Sequence, residues 1–229
     1  MKILLVAATA RETRELVTKL VFVQKIDSNF NTYGYGNLSI DILITGIGSA
    51  FTSYHLTRAL NLINYDLAID IGVAGSFDHF LELGFVVNVV QDHFADLGFE
   101  DNSNFFTLYE KELMDPDEFP FADGSLSSIG NFEIEEVEAL IPVKAVTVNT
   151  LLGSNSSIER IKEKYNPEIE TTEGAAFMFV CLMEKIPFLQ IRAVSYFVDI
   201  RKVENWNLPY AYNSLSNTIL SIFNELRND

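Results

Sequence analysis

The chain has 229 residues, 48% of them hydrophobic, with 16 basic against 32 acidic side chains and a formal net charge of −16. That length fits one large α/β domain spanning 1–229, and the apolar fraction is enough to bury a core without disulfides. Such acidity argues against nucleic acid or an anionic membrane as partner, because both call for basic faces. The single cysteine, Cys181, sits in the apolar run FMFVCLM and reads as a core residue of a cytoplasmic protein. No apolar stretch approaches the roughly 20 residues needed to span a bilayer. The opening MKILLVAATA runs straight into the charged ARETRE, so it reads as a buried first strand rather than a signal peptide.

KILLVAA (2–8) predicts a central strand. Thr9 and Glu12 have the spacing of a capping box, and Leu16, Leu20 and Val23 continue a helical stripe. Residues 28–37 read as a turn. LSIDILIT (38–45) predicts a strand running into Gly46-Ile47-Gly48-Ser49, followed by a helix carrying His55, Leu56, Ala59, Leu60 and Ile63. LAIDIG (67–72) is the next strand and ends in Val73-Ala74-Gly75-Ser76; FVVNVVQDHF (85–94) is another. Residues 95–130 are irregular, acidic and aromatic, a candidate lid or subunit interface. An amphipathic helix (133–141), a strand (143–148), a loop (149–153) and a short helix (156–165) follow. The stretch 170–199 reads as a loop bearing Glu173, a small-residue helix start and a buried strand. An amphipathic helix over 213–229 closes the chain. Alternating strands and helices predict an α/β sandwich around a largely parallel sheet.

Several strands end in small-residue turns, which places one pocket at a shared sheet edge. GxGxxG, a Walker lysine and a GxSxG elbow are all absent, and the three histidines lack metal-ligand spacing, so no metal is expected. Glu12 reads either as a capping or helix-dipole residue or as a general base aimed into the pocket. Glu173 reads either as a partner of a helix N-terminus or as an acceptor for two vicinal hydroxyls.

Glu12 after strand one, then GIGS, GVAGS, TTEGAA and IRAVS in that order, resemble the purine nucleoside phosphorylase and nucleosidase superfamily. The resemblance implies a three-layer αβα sandwich with a central mixed, largely parallel sheet. Within that superfamily, DHFADLGFEDNSNFF, LMDPDEFPF and IRKVENWNLPYA are most similar to the futalosine hydrolases of the alternative menaquinone pathway. The implied reaction is cleavage of the N-glycosidic bond of futalosine to release hypoxanthine, without cofactor or metal. A methylthioadenosine/S-adenosylhomocysteine-type nucleosidase and a catalytically degenerate nucleoside-binding protein are the alternatives.

By the same resemblance, Glu12 activates a water against C1′ and Glu173 grips the ribose 2′ and 3′ hydroxyls. Gly48, Val73, Ala74, Gly75, Thr172 and Ser195 lie near ribose and base. Thr150, Leu151 and Leu152 line the base site, and Tyr196 faces N7 or the 6-oxo group. A homo-oligomer is implied, with residues 100–121 completing a neighbour's pocket. Phosphorylases of this superfamily carry an Arg for phosphate where this chain has Asp70; a carboxylate repels phosphate, so water is the expected nucleophile. The chain departs from the family at Tyr196, usually Asp or Asn, at Thr172, usually Met, and at Leu152, where the futalosine hydrolases have His. A phenol with a pKa near 10 donates a hydrogen bond but is a poor acid at neutral pH. Arg201 reads as an exposed arginine or as a partner for a carboxylate on the substrate tail.

Overall fold

The computed structural model describes residues 1–102, 104–128, 133–199 and 206–227. The first half runs β1 (Lys2–Ala7), α1 (Arg14–Val17), β2 (Val21–Asp27), β3 (Phe30–Tyr35), β4 (Leu38–Ile44), α2 (Ser49–Leu62), β5 (Leu67–Ser76) and β6 (Val86–Phe94). Three short strands follow, β7 (Gly98–Asp101), β8 (Asn104–Thr107) and β9 (Leu126–Ser127). The remainder is α3 (Glu135–Glu138), β10 (Ile141–Thr147), α4 (Asn155–Tyr165), β11 (Ile169–Thr171), α5 (Gly174–Glu184), β12 (Phe188–Phe197) and α6 (Leu208–Leu226).

β1 lies between β4 and β5 and is parallel to both. Beyond β5 come β12, β6, β10 and β11. β12 is parallel to β5, and β10 is parallel to β6 and β11, whereas β6 runs antiparallel to β12. β11 also pairs antiparallel with β5 through Ile169↔Ser76 and Glu170↔Gly75, so this end of the sheet curls back on itself. β3 and β2 extend the other end as antiparallel strands. The sheet is therefore mixed, with parallel strands at its centre. Strands covered on both faces need no polar face, which is why β1 and β5 read as continuous apolar runs.

Helices cover the two faces. On one, Leu56 and Ala59 of α2 join Phe177, Met178, Val180 and Cys181 of α5 in a buried cluster with Leu4, Val6 and Ala68. On the other, Leu16 of α1 and Leu215, Ile219, Ile222 and Phe223 of α6 cover Ile3, Leu5, Ile69 and Ile191. α6 is amphipathic; it starts at Asn207, whose side chain accepts from the Tyr210 N–H, with Pro209 in its first turn. α4 has a capping box at Ser154–Ser157 and ends at Asn166 in the left-handed conformation, turning Ile158 and Ile161 inward.

Four expectations about elements change. Residues 28–37, read as a turn, hold β3, which pairs antiparallel with both β2 and β4. The helical stripe does not reach Val23: α1 ends at Val17, and Val23 lies on β2, 58% exposed. VFV is β-branched and aromatic, and the antiparallel pairing of β2 with β3 outweighs the 3.6-residue spacing of its apolar residues. The helix expected over 133–141 shrinks to α3, because IPVKAVT joins the sheet as β10 from Ile141 onward. The region after β6 holds a β7–β8 hairpin and β9, which pairs with β6. Arg201 lies outside the described residues.

Candidate active site

At the carboxyl ends of the central parallel strands lies a cavity of about 570 Å³. Six of the residues singled out from sequence line it: Glu12, Val73, Leu151, Thr172, Glu173 and Tyr196. Parallel strands release their following loops at one edge, so residues distant in sequence converge there.

Glu12 is in the turn between β1 and α1. Its Oε2 accepts from the Thr9 backbone N–H at 2.7 Å and from Thr9 Oγ1 at 3.0 Å. This is one half of a capping box, but the helix begins only at Arg14, with Thr13 as its N-cap, so the bonds orient Glu12 rather than cap α1. The other oxygen, Oε1, and Nη1 of Arg192 both crowd Gly72: a Cβ there would lie 3.0 Å from the first and 2.4 Å from the second. Gly72 thus clears the space in which the carboxylate and the guanidinium approach each other. Burial pushes the Glu12 pKa up; the Thr9 N–H opposes this, neighbouring Glu173 adds to it and Arg192 opposes it. A carboxylate made more basic and held at a cavity wall is suited to taking a proton from water.

Arg192 is fully buried on β12 and forms an ion pair with Asp70 of β5. Its Nε donates to Gln190 Oε1 at 3.2 Å, and Gln190 Nε2 donates to Asp92 Oδ2 at 3.3 Å. Asp92 Oδ1 accepts from Thr147 Oγ1 at 3.0 Å. Burial raises the Asp92 pKa to about 7 against the pull of those hydrogen bonds. The network corrects the phosphate inference drawn from Asp70. That carboxylate is 1% exposed and its charge is taken up by Arg192, so it is not the group that repels an incoming anion. The carboxylates at the cavity wall are Glu12, Glu170 and Glu173.

Glu173 occupies the N-cap position of α5 but makes no side-chain capping bond. Its Oε1 accepts from the Gly48 N–H at 2.8 Å and from Thr172 Oγ1 at 2.5 Å. The carboxylate is thereby turned from its own helix toward the turn after β4. Gly48 has φ 105°, a conformation that suits glycine, and it serves here to hold Glu173. Thr172, where the resemblance implies methionine, supplies a second donor to the same oxygen.

At the far end of the cavity Tyr196 is only 7% exposed. Its hydroxyl donates to Glu170 Oε1 at 2.8 Å, and Glu170 Oε2 accepts from the Leu152 N–H at 3.3 Å. Trp206 stacks on the Tyr196 ring, 4.3 Å between centroids and 11° from parallel. Gly75 is paired with Glu170 of β11 on one side and with Tyr196 of β12 on the other. A Cβ on Gly75 would lie 2.4, 2.5 and 2.8 Å from Tyr196 Cε2, Cζ and Oη. Gly75 therefore makes room for the tyrosine ring to cross β5, rather than for a ligand as expected.

The structure does not bring every candidate to the cavity. Ser195 is buried, its Oγ donating to the Ala74 carbonyl at 3.3 Å, and a register shift between Val194 and Tyr196 turns only the tyrosine inward. Ala74 and Leu152 are buried behind the wall, and Thr150 is exposed outside it. Sequence reasoning missed Glu170, Arg192, Trp206, Arg11 and Tyr212. For Arg192 a signal existed: it is a charged residue inside an otherwise apolar, buried strand, and such a residue needs a partner. Among the described residues no group of His, Cys, Asp and Glu could hold a metal ion, and no helix is long and apolar enough to cross a membrane.

Residues 2–208 match the family described as the phosphorylase superfamily. A 5′-methylthioadenosine/S-adenosylhomocysteine nucleosidase of Buchnera aphidicola subsp. Schizaphis graminum is 25% identical over 217 residues, 92% of this chain and 91% of that protein. A futalosine hydrolase of Acidothermus cellulolyticus is 26% identical over 191 residues, covering 80% and 74% of the two chains. The native futalosine hydrolase of Helicobacter pylori superposes with a TM-score of 0.83 at 17% identity, over 98% of each chain. The methylthioadenosine/S-adenosylhomocysteine nucleosidase of S. pneumoniae superposes with 0.82 at 19% identity, over 99% of this chain and 100% of that one. These superpositions bear out the expected three-layer fold.

Proposed function

We propose that this chain, which belongs to the phosphorylase superfamily, hydrolyses the N-glycosidic bond of a purine nucleoside. The observation that carries the reading is the convergence of two oriented carboxylates, Glu12 and Glu173, on one cavity at the sheet edge. As the bond from C1′ to the base breaks, positive charge builds on the ribose and negative charge on the departing purine. Glu173 accepts hydrogen bonds from the ribose hydroxyls and fixes the sugar. Glu12, with its raised pKa, takes a proton from the attacking water. Tyr196 and Trp206 form the base end, with Leu151 as apolar cover. Ile47, Leu208 and Tyr212 line the cavity's outer side and suit a bulky apolar 5′ substituent. The reaction calls on no cofactor or metal, and the lone buried Cys181 fits a reducing cytoplasm.

Futalosine is the first substrate to test, on the similarity of the 92–106 and 113–121 segments to futalosine hydrolases. Relatives named methylthioadenosine/S-adenosylhomocysteine nucleosidases favour a second reading, an adenine nucleoside with a 5′ thioether. Base release from futalosine, aminodeoxyfutalosine, methylthioadenosine and inosine separates the two. Hypoxanthine from futalosine supports the first reading, and adenine from methylthioadenosine alone supports the second.

A homodimer is part of the proposal. Phe51, Tyr54 and Leu62 are exposed along one side of α2, continuing from exposed Ile47 at the cavity. A second copy covering this stripe would close the cavity's outer side. Phe51→Glu should shift the sedimentation coefficient from dimer to monomer; an unchanged coefficient rules out this face.

A further inference from the structure

Behind Glu12 lies a buried ion pair that the chemistry proposed above leaves unused. Asp70 of β5 and Arg192 of β12 are both buried, and neither lines the cavity. The strand register explains how they meet. β12 runs parallel to β5 with Gln190 beside Asp70 and Arg192 beside Gly72. Side chains two residues apart on a strand share a face, so Arg192 crosses the bare Gly72 to reach Asp70. Each nitrogen of the guanidinium then faces a different group. Nε donates to Gln190 Oε1 at 3.2 Å, and Nη2 pairs with Asp70 Oδ2. Nη1 lies over Gly72, the position that Glu12 Oε1 also approaches. The guanidinium is a rigid planar fork, so fixing two of its nitrogens aims the third.

Taking as its premise the hydrolase reading, in which Glu12 is the base, we propose that Asp70 is a positioning residue for Glu12. It holds Arg192 beside that carboxylate and takes up part of the guanidinium charge, so that Glu12 still accepts the proton of the attacking water. Two limits show what the pair does. With no cation there, Glu12 and Glu173 would repel each other across the cavity with nothing buried to offset them. With Arg192 present but unpaired, its full charge would hold Glu12 as a carboxylate too stable to take a proton readily. Asp70 sets Arg192 between these limits.

The electrostatics agree with this geometry. Burial raises the Glu12 pKa, and among its charged neighbours Glu173 adds to the rise while Arg192 opposes it. Burial also raises Asp70, Arg192 pulls it down, and Glu173 and Glu12 push it up. Three carboxylates thus share one buried cation. Arg11 and Tyr212 of α6 line the cavity beside Glu12, and the Tyr212 phenol feels both Arg11 and Glu12. Behind the pair, the Cys181 thiol of α5 feels Asp70, and Asp92 of β6 feels Arg192.

The test moves Glu12 in opposite directions from two positions of the full chain. Asp70→Asn keeps the shape and removes the charge, so Glu12 meets the whole charge of Arg192. The acid limb of kcat should move to lower pH by about one unit. On the plateau kcat should fall by about ten-fold, because a weaker base takes the proton less readily, with KM within about two-fold of wild type. Asp70→Ser, smaller and also uncharged, should move the limb the same way and serves if the Asn variant does not fold. Gly72→Ala leaves every charge in place, and Gly72 is not among the residues with positive φ. Its Cβ would meet Arg192 Nη1 at 2.4 Å, closer than Glu12 Oε1 at 3.0 Å, so the guanidinium is the group pushed away. With the cation farther off, the limb should move to higher pH. A carboxyl-labelled glutamate titration by NMR, with the Glu12 signal assigned by its loss in Glu12→Gln, reads the same two shifts without turnover. Opposite shifts support the proposal. Limbs and titrations that move together, or stay where wild type has them, overturn it and leave the ion pair a part of the core alone. A wild-type protein that cleaves no purine nucleoside fails the hydrolase reading instead, and the titration still decides whether Asp70 governs Glu12.

Discussion

The crossing of the Tyr196 ring over β5 depends on one missing methyl group, and Gly75→Ala restores it. Gly75 is not among the residues with positive φ, so alanine fits the backbone without strain. The added Cβ would lie 2.4–2.8 Å from three atoms of Tyr196, so the ring must retreat by about 1 Å to reach ordinary van der Waals separation. It has little freedom to do so, being stacked on Trp206 and bonded to Glu170. Overpacking of this kind costs about 1–3 kcal/mol. Reduced freedom of the unfolded chain offsets about 0.4–1 kcal/mol of that. Urea unfolding of wild type, Gly75→Ala, Tyr196→Ala and the double variant isolates the contact. The single Gly75→Ala change should destabilise by about 1–2 kcal/mol, whereas in the Tyr196→Ala background it should be neutral or slightly stabilising. Equal costs in both backgrounds would refute the account of why position 75 is glycine.

Other expectations are as direct. Glu12→Gln should reduce kcat by about 10²–10⁴-fold while ligand affinity stays near wild type, measured by base release and by titration calorimetry. Because burial raises the Glu12 pKa from 4.5, the acid limb of turnover should lie above that value. The same shift sets a stability trend. The contribution of Glu12 is fully present below 4.5 and is lost as pH rises through its folded pKa, so Glu12→Gln should flatten that part of a melting-temperature profile. Asp92, raised from 3.8 to about 7, follows the same sign: its contribution declines between those two pH values, and Asp92→Asn should remove the decline. Trp206 is the single tryptophan, so nucleoside binding beside the Tyr196 stack should change the intrinsic fluorescence; a saturating substrate that leaves the spectrum unmoved would contradict its place at the base end.

What was legible in the sequence was whatever depended on local pattern. Apolar runs marked β1, β5 and β12, and small-residue turns after the strands marked the sheet edge where the cavity lies. Glu12 and Glu173 stood out as acids at loop-to-helix junctions, and both reach the cavity. Features set by tertiary pairing were not legible. Val21–Asp27 joins a sheet edge despite its helical spacing, and Ile169–Thr171 is too short to read as a strand, so Glu170 went unnoticed. Gly75 looked like a ligand-facing turn residue because nothing in its neighbourhood shows that Tyr196, far along the chain, passes over it. Asp70 looked like a charge aimed at phosphate because its partner, Arg192, comes from another strand.

The central claim is that water attacks C1′ in this cavity. The most direct measurement is chromatographic detection of free base from the nucleoside panel, in phosphate-free buffer and again with added phosphate. The account predicts free purine and free sugar without phosphate, at a rate that phosphate does not raise. Base release that strictly requires phosphate and yields a sugar phosphate would contradict it.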